Sequence, residues 1–134
     1  MTTGNGSGID GIDGMLAAVR ATLDRLTPQQ AYAALAEGAV LVDTRPEFQR
    51  RASGTVPGAL LVERNHLEWR CDPSSGATVA EATGTDVHWI VMCDEGYASS
   101  LAAASLRALG LSRATDLTGG FQAWRRAGLP VTLP

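Results

Sequence analysis

The chain contains no lysine. All eleven of its basic residues are arginine, set against fourteen carboxylates for a net charge of -3. No excess of positive charge is available for a phosphate backbone, so bulk electrostatics argue against a nucleic-acid partner. Cysteine and histidine are equally scarce, with two of each: Cys71, Cys93, His66 and His88. Two cysteines make no disulfide framework, and no C-x-x-C pair or spaced Cys/His set reads as a metal site. No apolar run approaches the roughly 18 residues that a membrane span needs. The opening MTTGNGSGIDGIDG has neither the basic start nor the apolar block of a secretory leader. The expectation is a glycine-rich, mobile tail over residues 1–14 on a cytoplasmic protein.

What is present suffices for a core. Hydrophobic residues make up 45% of 134, the size of one domain, expected over residues 15–134. Met15, Leu16, Val19, Leu23 and Leu26 recur at helical spacing and predict an amphipathic helix. Thr27-Pro28 reads as an N-cap with proline at the first helical position, opening a helix that stops at Gly38. AVLVD (39–43), HWIVMC (88–93) and ATDL (114–117) read as strands, and GTVPGALLV (54–62) as a Pro-Gly turn followed by a strand. The AVLV and WIVM runs of these segments show no polar alternation, the pattern of strands covered on both faces. Helical segments alternate with these strands, which predicts a mostly parallel sheet with helices on both faces. In such sheets polar chemistry gathers at the carboxyl ends of strands. Asp43-Thr44-Arg45 and the loop from Cys93 stand there. Trp69, Trp89 and Trp124 sit in patterned elements and are expected to pack.

VMCDEGYASSL (91–101) joins a strand end, a glycine turn and a helix start. A helix start has unpaired N–H groups and the positive end of the helix dipole. A tight glycine loop turns further N–H groups inward as an anion nest. Gly96 can take the positive φ this needs, and Ser99 or Ser100 is a candidate cap. Such donors favour a thiolate, which makes Cys93 a candidate nucleophile. On spacing alone a second reading stands beside it: an inert cysteine closing a buried strand. Asp94 and Glu95 oppose an anion site unless their side chains face solvent while their N–H groups face inward. That arrangement is the expected one.

These residues resemble a family. VMCDEGYASSLAAASLRALG followed by ATDLTGGFQAWRRAGLPV is similar to the second half of a rhodanese-like domain. The family's active loop, C-x-x-G-x-x-[ST], is met by Cys93, Gly96 and Ser99, and its S-x-x-A-A helix opening by Ser99 to Ala103. Its L-x-G-G-x-x-x-W signature is met by Leu117, Gly119, Gly120 and Trp124. Upstream, LVDTRPEFQ resembles the D-x-R element at Asp43 and Arg45, and SGTVPGAL resembles the G-H-I-P-G-A turn at Gly54, Pro57, Gly58 and Ala59. The resemblance covers about residues 27–131. It implies an α/β rhodanese-like fold, a roughly five-stranded parallel sheet flanked by helices on both faces. It implies sulfurtransferase chemistry: Cys93 takes the outer sulfur of a small anionic donor such as thiosulfate, holds it as a persulfide, and passes it to cyanide or a thiol. No metal or organic cofactor is implied. The N–H groups of Asp94, Glu95, Gly96, Tyr97, Ala98 and Ser99 are implied as the persulfide cradle.

Asp43, Arg45 and Arg64 are the site-bordering candidates: Asp43 as an organiser of hydrogen bonds, the arginines as sources of positive charge. Tyr97 reads as plain surface packing first and as a pocket wall or acceptor guide second. Cys71 is a resolving thiol only if its loop meets that of Cys93. The chain also departs from the family. Asp94 and Ala98 stand where many members carry basic or hydroxyl residues, and Thr55 stands where the turn usually has histidine. Fewer cations then surround the site, which points to thiosulfate as a poor donor. Three rival readings are weighed. A cysteine phosphatase needs arginine at the end of C-x5-R, and that position is Ser99. A persulfide carrier with little turnover and a redox-sensing, oxidisable thiol are the others.

Overall fold

Residues 10–134 are described by a computed structural model. β1 (Val40–Asp43), β2 (Leu60–Leu61), β3 (Trp89–Met92) and β4 (Thr115–Asp116) form one parallel sheet in the order β2-β1-β3-β4. The helices among the described residues are α1 (Gly11–Arg20), α2 (Pro28–Ala36), α3 (Glu47–Ser53), α4 (Leu67–Cys71), α5 (Ala98–Ala108) and α6 (Gly120–Arg126), with a 3-10 turn at Arg64–His66.

Strand β3 sets the layers. All four of its residues are fully buried, which is why its sequence carries no polar alternation. Successive side chains point to opposite faces. Trp89 and Val91 join Val42, Leu67, Cys71, Ala103 and Leu106 on one side. Ile90 and Met92 join Leu41, Ala31, Phe121 and Trp124 on the other. Helices α4 and α5 therefore cover one face, and α2 and α6 the other.

The α/β, parallel, doubly covered architecture is the expected one, but the sheet has four strands rather than five. The fifth place is held by one residue: Leu26 forms a parallel bridge with Leu117. Leu26 N–H donates to Asp116 O at 3.1 Å, and Thr118 N–H to Leu26 O at 2.8 Å. The edge strand stops there because Thr27 caps α2 in a reciprocal box with Gln30, and Pro28 follows without an N–H. The first helix also departs from the 15–26 periodicity. It spans Gly11–Arg20, and the chain then turns through Thr22 N–H to Val19 O and Leu23 N–H to Arg20 O. Leu23 stays in the core, while the turn frees Leu26 to reach the sheet. The tail expected over 1–14 lies mostly outside the described residues; its last four form the first turn of α1.

The strand expected after the Pro57-Gly58 turn is there but short, pairing with β1 only at Leu60–Leu61. Trp89 and Trp124 are buried, but Trp69 is 60% exposed. Leu67 and Cys71, four residues apart on α4, take the buried face, so Trp69 between them points outward. Among the described residues no helix is long and apolar enough to cross a membrane.

Candidate active site

From β1 the chain moves to the sheet edge at β2, and from β3 to the opposite edge at β4. The crevice between β1 and β3 is thus the switch point of the sheet, where ligands bind in open α/β folds. Asp43 pairs with Met92 in the register, which sets Thr44 and Arg45 beside Cys93. Thr44 fixes this edge by donating its N–H (2.9 Å) and its hydroxyl (3.0 Å) to Met92 O. A cleft of about 420 Å³ opens here. Thr44, Arg45, Pro46, Gln49 and Arg64 line one side, and Cys93, Asp94, Glu95, Tyr97 and Ala98 the other.

Cys93 is 9% exposed. Its Sγ accepts the N–H of Gly96 at 3.2 Å and that of Ser99 at 3.3 Å. The loop rests on the start of α6, where Phe121 N–H donates to Cys93 O (2.9 Å) and Gln122 N–H to Asp94 O (3.1 Å). Glycine makes this seat possible. A Cβ on Gly96 (φ 87°) would lie 2.6 Å from Gly119 N, and one on Gly120 (φ 62°) 2.5 Å from Cys93 O. The C-x-x-G and L-x-G-G motifs are therefore two halves of one contact.

The loop is braced from behind by Asp116 on β4. This fully buried carboxylate accepts the hydroxyls of Ser99 and Ser100, both at 2.8 Å, and the guanidinium of Arg25 at 2.9 Å. The serines consequently do not cap α5. Its N-cap is Tyr97, with no side-chain capping bond, and the hydroxyls turn to the carboxylate instead. Arg25 and Arg20 also reach the loop itself, at Gly96 O. Sequence reasoning missed Asp116, Arg20 and Arg25. The available signal was Asp116 inside a short buried strand, since a buried carboxylate demands donors and a cation.

Arg45 and Asp43 form a fully buried ion pair, Nη2 to Oδ2 at 2.8 Å. Asp43 Oδ1 also accepts the Arg45 N–H at 3.0 Å, and Asp43 does not line the cleft. Arg45 further donates to Gly54 O at 2.8 Å and lies 4.0 Å over the Phe121 ring. Its Nη1 has no hydrogen-bond partner and lies 3.9 Å from Asp94 Oδ1. Asp94 is not simply solvated as expected. It leans between that guanidinium and Gln122 Nε2 on α6, 3.0 Å away, because donors flank it on both sides. Glu95 and Tyr97 face outward. Arg64 lines the cleft but shares its charge with Glu68 at 2.9 Å.

Cys71 is fully buried in the α5-side core and does not line the cleft. Burial, with help from the Glu68 charge, pushes its thiol up to about 12, so it stays protonated at neutral pH. A larger cleft, about 620 Å³, lies between Trp69, Asp72, Ser75 and Leu109. It holds no nucleophile or cation, and its Glu68 is tied to Arg64 and Ser105. Among the described residues no three His, Cys, Asp or Glu side chains converge as a metal site.

The Rhodanese-like domain family profile matches residues 27–127. The thiosulfate sulfurtransferase GlpE of Pseudomonas entomophila is 39% identical over 101 residues, covering 75% of this chain and 84% of that protein. The enzyme of the same name from Haemophilus influenzae is 30% identical over 106 residues, 79% of this chain and 91% of that one. Two solved structures are similar. One is a Rhodopseudomonas palustris protein of unknown function, named as a possible tyrosine phosphatase: TM-score 0.82, 31% identity, 91% of this chain and 94% of that one. The other is a human single-domain sulfurtransferase: TM-score 0.63, 25% identity, 76% and 95%. The strand-end thiol, the paired glycine motifs and these relatives lead to one placement: the chain belongs to the rhodanese-like domain family, as a rhodanese-type sulfurtransferase.

Proposed function

We propose that the protein transfers sulfane sulfur through a persulfide on Cys93. The Cys93 thiolate attacks the outer sulfur of a small anionic donor such as thiosulfate. A Cys93 S–S bond forms, the donor's S–S bond breaks, and sulfite leaves with the bonding pair. Cyanide, or the thiolate of a small molecule or protein, then attacks the outer sulfur and returns Cys93 as thiolate. Charge balances in both steps, and neither step needs a cofactor or an oxidant. The observation that carries this reading is the pair of backbone N–H bonds to Cys93 Sγ, from Gly96 and Ser99, at the floor of an open cleft. In this reading the N–H groups of Asp94, Glu95, Tyr97 and Ala98 complete the cradle around the outer sulfur. Buried Arg45, held in place by Asp43, supplies positive charge behind the cleft wall, and Arg64 adds charge at the rim.

The phosphatase name attached to the R. palustris protein finds little support in this loop. The position that would close C-x5-R is Ser99, and its hydroxyl is committed to Asp116. The test is thiosulfate-to-cyanide transfer followed as thiocyanate, with a mass spectrum of the protein after thiosulfate alone. Turnover and a one-sulfur adduct are expected, both lost in Cys93→Ser. An adduct without turnover supports the carrier reading instead. Hydrolysis of an aryl phosphate that depends on Cys93, without sulfur transfer, would overturn the proposal.

A further inference from the structure

The family match begins at residue 27, yet two arginines ahead of it grip the active loop. Arg20 Nη2 donates to Gly96 O at 2.7 Å, and Arg25 Nη2 to the same oxygen at 3.0 Å. One carbonyl has two acceptor sites, and both are filled by guanidinium. Arg25 has an independent reason to be there, since it neutralises buried Asp116. Arg20 has none. Among the described residues it pairs with no carboxylate; its other contacts are Ser100 Oγ at 3.0 Å and the Tyr97 ring at 5.6 Å. Its charge is committed to a backbone oxygen of the loop.

The consequence lies on the far side of that peptide. No peptide among the described residues is cis, and a trans peptide points its N–H opposite to its C=O. With Gly96 O turned to the arginines, the Tyr97 N–H faces away from them. Two cations on the oxygen also polarise the peptide, which strengthens its N–H as a donor. We infer that Arg20 and Arg25 are positioning residues: they lock the Gly96–Tyr97 peptide so that the Tyr97 N–H is presented to the outer sulfur of a Cys93 persulfide. The inference rests on the transfer reading above, and it assigns the segment before the matched domain a part in the site.

The test compares wild type with Arg20→Gln, Arg20→Lys and Arg25→Lys at fixed thiosulfate-to-sulfite ratios. The fraction of persulfide is read by mass spectrometry and the Tyr97 amide proton by NMR before and after loading. In Arg20→Gln the persulfide-to-thiol ratio is expected to fall roughly tenfold, the scale of one charge-assisted hydrogen bond. Arg20→Lys should recover part of it. The Tyr97 amide should move downfield on loading in wild type and clearly less in Arg20→Gln. Arg25→Lys should lower the ratio as well. Should that variant unfold through Asp116, the Arg20 pair still decides the matter. Equal ratios and equal amide shifts in wild type and Arg20→Gln overturn the inference. So does a lowered ratio with an unchanged Tyr97 shift, which would assign the loss to general packing. Wild type that takes no sulfur from thiosulfate or inorganic polysulfide would sink the transfer reading itself, and the clamp with it.

Discussion

Asp94 follows the thiol directly, and its carboxylate borders the space a donor anion would enter. At the few ångströms involved, one negative charge near a protein surface repels an anion appreciably, and salt weakens the effect. Asp94→Asn should therefore lower KM for thiosulfate by roughly threefold to tenfold at low ionic strength, and by less in physiological salt. Steady-state kinetics at two salt concentrations checks this. An unchanged KM would mean that Arg45 already neutralises the side chain. The thiol, its glycine and Ser99 were legible because their spacing is local and each residue type has a reason within seven positions. The partners of Asp94 were not: Gln122 lies 28 residues away, and no local pattern links them. Arg45 shows the same limit. Its place at a strand end was readable, while its buried pairing, its ring contact and its approach to Asp94 follow from packing between elements.

At the scale of elements, the loop and α6 behave as one body because glycine backbones touch. Gly120→Ala must accommodate a Cβ 2.5 Å from Cys93 O at a positive φ. A left-handed non-glycine residue alone costs about 1–2 kcal/mol, and relieving the clash displaces the loop. Activity should fall more than about tenfold, with the unfolding midpoint lowered by roughly 5 °C or more. Gly110→Ala is the comparison: φ is 96° but nothing lies within 4 Å. It should lose stability from strain alone and keep its activity per folded molecule. Equal activity loss in both would refute the seat. The central strands were readable from their unbroken apolar runs, and the parallel, doubly covered sheet from the alternation of strands with helices. The sheet edges were not. How many residues pair after the Pro57-Gly58 turn, or at Leu26, depends on turns and caps that compete with the ladder, and the sequence does not display which wins.

The whole molecule should weaken in acid. Burial and the nearby Arg113 hold His88 below its ordinary 6.5. Burial pushes the Glu68 carboxyl up, but the Ser105 hydroxyl and Arg64 outweigh it and hold it below its ordinary 4.5. In both cases the unfolded chain binds its proton at a higher pH than the folded one, so stability falls as pH drops. The His88 contribution is lost from about pH 6.5 downward, and the Glu68 contribution from about pH 4.5 downward. Urea midpoints measured from about pH 7 to about pH 4 should slope accordingly, and His88→Gln should flatten only the upper part. A flat profile in the native protein between about pH 7 and pH 5 would contradict this. The loop's two anchors also place the site in time. Its bonds to Arg20 and Arg25 span 76 and 71 residues, and its seat is made by Gly119 to Gln122, synthesised after it. Chains emerge at roughly 5–20 residues per second and distant contacts close late. For a few seconds of each synthesis, then, Cys93 is an ordinary cysteine on an unfinished chain. It enters its cradle only after the residues that hold it from both sides have been made.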